Sequence, residues 1–139
     1  MFGQADLKVN PVELPSLVLA YIGDAVYELA VREYLINRGL TNVNKLHREA
    51  VRHVRASTQA RVFHALEGCL DKTEEAVARR GRNAKSGHGP RGNNIIEYRH
   101  STGFESLVGY LYLQRDWARL EKILSLAREV IEQELDSNT

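Results

Sequence analysis

Apolar positions recur at spacings of three and four along most of the chain, the signature of helices with one buried face. Sustained period-two alternation is absent, and no Asn-Gly turn sits between apolar runs, so the pattern predicts an all-α fold. The first helix enters at Glu13-Leu14-Pro15-Ser16, with Pro15 in its first turn, and runs to about Arg38 before Gly39 stops it. Its apolar residues Leu17, Val18, Tyr21, Ile22, Ala25, Val26 and Leu29 cover a wide arc that Val31 and Leu35 extend. Such a helix is expected to be surrounded by others. Thr41 or Asn42 caps a second helix carrying Leu46, Ala50, Val51 and Val54. Ser57 or Thr58 starts a third, which Gly68 ends, and Thr73 opens a short fourth that runs to about Arg80. Four glycines and a proline within residues 80–94 forbid regular structure there. Ser101 or Thr102 then opens a helix through Gln114. Asp116 caps a last amphipathic helix with Trp117, Leu120, Ile123, Leu124, Ala127, Val130 and Ile131. No internal repeat or composition break divides the chain, so residues 1–139 read as a single domain with a loop, 81–97, inserted between helices.

Composition narrows the class. Of 139 residues, 43% are hydrophobic and 27% charged, a balance that suits a folded globular protein and excludes a disordered one. Cys69 is the only cysteine, so neither an internal disulfide nor a cysteine-based zinc site is available. No apolar run reaches membrane-spanning length, and the N-terminus lacks the basic-then-apolar plan of a signal peptide. These readings point to the cytoplasm. The net charge is only +1, so bulk charge does not announce nucleic-acid binding. Its distribution changes that picture. Arg79, Arg80, Arg82, Lys85, Arg91 and Arg99 fall in one segment whose only acid is Glu97.

Two acids stand out from the apolar pattern. Asp24 follows Gly23 and precedes Glu28 by one turn, at the edge of the expected buried stripe. A buried carboxylate is costly unless it is paired or bound to a cation. Glu28 has Arg32 at i+4, the favoured order for an ion pair, whereas the i+4 position of Asp24 is another acid. Neighbouring acids without a local cation repel unless a divalent ion joins them. The later acid, Glu105, adjoins Val108, Gly109 and Tyr112. Two readings stand side by side. In one, Gly109 serves helix packing and Glu105 is a solvated edge. In the other, this helix packs beside the first, Glu105 faces Asp24, and the two carboxylates frame a hard oxygen site suited to Mg²⁺.

Taken together, IGDAV (residues 22–26) and FESLVG (residues 104–109) resemble the signature of the ribonuclease III catalytic domain. The chain is most similar to the Mini-III subfamily, which lacks the appended double-stranded-RNA-binding module. The likeness runs through residues 20–32, 45–60, 80–87 and 98–113. It implies the helical ribonuclease III endonuclease fold and a Mg²⁺-dependent endoribonuclease that cuts double-stranded RNA. It also implies maturation of the ends of precursor 23S ribosomal RNA, a homodimer with Tyr21 as a candidate contact, and a ribosomal protein as a candidate helper. Asp24 and Glu105 carry over as catalytic and metal-binding residues. Glu28 is left as an outer-shell or ion-pair candidate. Full-length ribonuclease III usually has further acids at the positions of Leu17 and Thr102, and the resemblance to Mini-III accommodates both losses.

The RNA grip implied without a separate module falls on Arg80, Arg82, Asn83, Lys85, Ser86 and Arg99, chemistry suited to phosphates and 2′-hydroxyls. Arg48, Arg52 and Arg55 share one helical face that is either solvated or a second phosphate track. His47, His53, His64, His88 and His100 show no helical pairing as a ligand set and read as surface or packing residues. Two rivals remain at this level: a non-catalytic RNA-binding or ribosome-assembly factor on the same fold, and a helical protein-interaction module.

Overall fold

Six helices and one short 3-10 turn make up the regular structure of this computed structural model, which describes residues 6–84 and 94–137. No strand occurs among the described residues. After the turn at Pro11–Glu13 come α1 (Ser16–Asn37), α2 (Val43–Val54), α3 (Ala56–Leu66), α4 (Lys72–Asn83), α5 (Ile95–Leu113) and α6 (Trp117–Ser137).

The punctuation of the sequence explains most of these limits. Gly39 and Gly68 take positive φ, +93° and +87°, which a side chain would resist. The Asn42 side chain accepts from the Lys45 amide at 3.1 Å, and Asp116 accepts from Arg119 at 3.2 Å. Four starts differ from expectation. Pro15 is the N-cap of α1, not a first-turn residue. The third helix begins at Ala56 because the Thr58 hydroxyl reaches back to the Arg52 carbonyl at 2.7 Å instead of capping. The fourth begins at Lys72, where Asp71 and Glu74 form a reciprocal capping box. The largest difference is α5, which starts at Ile95 and not at Ser101 or Thr102. Helix α4 also continues to Asn83, so the interval between helices is shorter than the expected loop 81–97.

Helix α5 is the axis of the fold. It packs on α1, α3, α4 and α6, and every residue from Ser101 to Leu111 except Glu105 is buried. Phe104, Leu107 and Leu111 meet Leu19, Val62 and Ile123 in one continuous core, and full burial of each such side chain is worth about 1.5–3 kcal/mol. At its edge, Arg119 of α6 holds the buried Glu74 of α4 through contacts of 2.7 and 2.8 Å and the Cys69 carbonyl at 2.6 Å. Cys69 itself is exposed.

Helix α1 is not surrounded, contrary to the expectation from its apolar arc. The buried stripe is Leu19, Ala20, Gly23, Tyr27, Val31 and Leu35. Leu17, Val18, Tyr21, Ala25, Leu29 and Ile36 are exposed, Tyr21 at 82%. Rotation gives the arc, but only half of it finds a neighbouring helix.

Candidate active site

The crossing of α1 over α5 is set by two glycines that face each other's helix. A Cβ at Gly23 would run into the Glu105 carbonyl and stand 2.8 Å from the Gly109 nitrogen. A Cβ at Gly109 would run into the Leu19 carbonyl. Backbone therefore lies directly on backbone, which only glycine permits. Flanking contacts fix the angle. The Ser106 hydroxyl donates to the Ser16 carbonyl at 3.0 Å, and the Tyr27 ring meets Phe104 edge-on at 4.9 Å.

This contact brings Asp24 and Glu105 together. Their carboxyl groups are hydrogen-bonded, and burial, followed by that bond and the Asp24 charge, pushes Glu105 up to about 9. Asp24 is exposed, so the pair opens to solvent on one side and is backed by the core on the other. At neutral pH the Glu105 carboxyl keeps its proton and donates to the Asp24 carboxylate. A divalent cation in place of this proton would have two hard oxygen donors from separate helices, the donor type that suits Mg²⁺. Among the described residues no group of three or more His, Cys, Asp or Glu side chains could hold a metal ion.

The neighbouring positions explain what the site lacks. Thr102 is buried, with its hydroxyl donating to the Tyr98 carbonyl at 3.0 Å, and Leu17 is 39% exposed. Glu28 lies beside Arg32 at 2.7 Å, the ion pair its spacing suggested.

Of the expected RNA-contact residues, Arg82 and Asn83 end α4 and Arg99 lies in the first turns of α5, with Asn83 and Arg99 exposed. Arg82 Nε donates to Asn83 Oδ1 at 3.2 Å. Arg80 reaches the Val12 carbonyl at 3.5 Å. Lys85 and Ser86 lie outside the described residues. The second basic set divides. Arg52 pairs with Glu49 and Arg55 bonds Thr58, leaving Arg48 with no ion-pair partner among the described residues; outside that face, Arg61 pairs with Glu134 and Lys45 has no such partner. His53 is buried, while the His64 and His100 rings meet at a tilt, 4.3 Å between centroids, beside Phe63. Burial, with the neighbouring His64 and Arg82, lowers His100 below its ordinary value. Helical spacing could not reveal this pair, because its members come from α3 and α5.

The all-helical frame, with α1 crossed on α5, is that of a ribonuclease III domain, and the family model for that domain matches residues 17–116. A crystal structure of a Fusobacterium nucleatum protein superposes with a TM-score of 0.75 at 27% identity, covering 84% of this chain and 93% of that one. Proteins described as Mini-ribonuclease 3 are closely similar. That of Symbiobacterium thermophilum is 53% identical over 88% of this chain and 95% of its own. That of Brevibacillus brevis is 47% identical over 93% and 96%. The chain belongs to the ribonuclease III family, in its Mini-ribonuclease 3 group. Membership bears out the all-helical fold and the double-stranded-RNA endoribonuclease activity expected from the sequence.

Proposed function

We propose that Asp24 and Glu105 are the catalytic carboxylates and that together they hold Mg²⁺. The observation that carries this reading is the pairing of two carboxyl groups across the Gly23–Gly109 contact, on the solvent side of an otherwise apolar helix crossing. Like charges brought this close resist joint ionisation, and a divalent cation relieves that cost. The donor set is all oxygen, which fits Mg²⁺ supplemented by water and by the substrate's own phosphate. When bound, the ion supplies charge stabilisation at the phosphate and lowers the pKa of water.

The chain's own residues contribute the rest. Glu105 gives up its proton on loading, and its backing by buried α5 keeps the carboxylate fixed. Asp24, exposed on α1, presents its oxygens to the substrate side. Arg80, Arg82, Asn83, Lys85, Ser86 and Arg99 grip phosphates and 2′-hydroxyls of an RNA duplex. Glu28 stays paired with Arg32 and helps shape the rim. The substrate is a duplex in precursor 23S ribosomal RNA, in keeping with the Mini-ribonuclease 3 relatives.

The test is cleavage of a structured precursor with Mg²⁺. Asp24→Asn and Glu105→Gln should each lower kcat by at least about 10²-fold, the scale lost with one transition-state electrostatic contact. Undiminished cutting by both variants would sink the assignment.

The protein acts as a homodimer through the exposed side of α1. Val18, Tyr21, Ala25, Leu29 and Ile36 are exposed along one side of the helix, with the Arg32–Glu28 ion pair among them, an apolar-with-charge pattern that suits an interface. Tyr21→Arg should shift the sedimenting species from dimer to monomer. A wild type that sediments as a monomer at micromolar concentration would refute the dimer.

A further inference from the structure

A cavity of about 350 Å³ opens between the C-terminal end of α1, α2 and α6. Its walls include Arg38, Lys45, Arg48, Glu49, His53 and Glu132. The acids are engaged: Glu132 by Arg38 at 3.3 Å and Glu49 by Arg52 at 3.4 Å. Lys45 and Arg48 have no acid partner among the described residues. His53 is 3% exposed, yet its Nδ1 has no hydrogen-bond partner, an uncommon and costly state for a buried polar atom. Burial, with Arg38, Arg52 and Arg128, lowers its pKa against the opposing pull of Glu49, which favours the uncharged imidazole.

We infer that this cavity is a phosphate-binding site, with Lys45 and Arg48 supplying the charge and His53 a buried hydrogen-bonding group in its wall. The uncommitted groups are cations and an imidazole, while the nearby carboxylates are already taken. That donor balance suits a compact, multiply charged oxyanion. Arg38, the C-cap of α1, is fourteen residues beyond Asp24, or about 20 Å along the helix axis. A phosphate held here is therefore not the one being cut. It belongs either to a distant part of the same RNA or to a free phosphate compound. The first source rests on the proposed RNA activity, and the second does not.

The two sources separate in one experiment on the full chain labelled with ¹⁵N-histidine. Inorganic phosphate is titrated in one arm and a short RNA duplex, without divalent ion, in the other, with chloride at matched ionic strength as reference. The His53 imidazole resonances should shift saturably in at least one arm, and the Lys45→Ala/Arg48→Ala double variant should abolish that shift. Both residues are exposed, so the variant keeps its fold. If the source is RNA, the double variant also reduces the salt slope of duplex binding by about 1–2. An unchanged slope with a surviving phosphate response in the wild type assigns the site to free phosphate. Absence of a saturable shift in both arms, a shift that chloride reproduces, or one that survives the double variant overturns the site. A wild type that binds no duplex at all counts against the RNA function, and the phosphate arm still reads the cavity.

Discussion

Substituting Gly23 by alanine separates site geometry from stability. The added Cβ meets the Glu105 carbonyl and, at 2.8 Å, the Gly109 nitrogen, both backbone and so unable to rotate away. Restoring ordinary contact parts α1 from α5 by roughly 1.5 Å. Overpacking of this kind costs about 1–3 kcal/mol, and replacing glycine by alanine inside a helix returns about 0.8–1.0 kcal/mol. The net loss is thus about 0–2 kcal/mol, which for a domain of this size lowers Tm by roughly 0–10 °C. Catalysis is far more sensitive, because a displacement near 1 Å can cost about 10²-fold. Gly23→Ala should therefore remain folded at 25 °C while kcat falls by about two orders of magnitude. The assays are single-turnover cleavage of an RNA duplex under saturating Mg²⁺ and thermal unfolding by circular dichroism. If kcat falls less than threefold with the fold intact, or the loss matches the unfolded fraction alone, the two-glycine contact does not set the carboxylate geometry.

Proton release should accompany metal binding. With Glu105 pushed up to about 9, Mg²⁺ loading at pH 7 releases about one proton per site, and calorimetry in two buffers of different ionisation enthalpy reads it. Glu105→Gln should abolish the release. Without metal, the same group makes the folded state bind more protons than the unfolded one between 4.5 and about 9. Stability therefore falls as pH rises through that window. Glu105→Gln should flatten the fall in Tm relative to wild type, and a parallel pair of curves would refute it. Arg119→Leu strands the buried Glu74 carboxylate and should cost about 3–5 kcal/mol in urea unfolding. A cost below about 1 kcal/mol would show that the capping box alone satisfies Glu74.

Helix ends were legible where a local rule fixes them. Gly39, Gly68, Asn42 and Asp116 each act within a few residues. The Asp71–Glu74 capping box is equally local and could have been read from the spacing of those two acids. The start of α5 carried no such mark, since the Asn94 side chain makes no capping bond. Asp24 and Glu105 could be picked out separately as misplaced acids. Their pairing depends on a crossing of two helices that periodicity does not specify. Likewise, the α1 pattern marked an apolar arc but not which half α5 would cover. His53 was obscured by its basic neighbours on α2, whose exposure suggested a solvated face. Its burial comes from packing near Tyr34 and Tyr27, with the Tyr27 hydroxyl donating to the His53 carbonyl at 3.2 Å.

The central position of α5 also bears on how the site is lost. Glu105 is carried by the helix that the other major packing elements enclose. Such a segment exchanges its amide hydrogens only through the largest opening of the molecule, whereas peripheral turns exchange through fraying. The Glu105 side of the carboxyl pair therefore has no partial opening of its own. Under slow heating, protection of the Ser101–Leu111 amides and the capacity to assemble the carboxyl pair should disappear together, in one cooperative step.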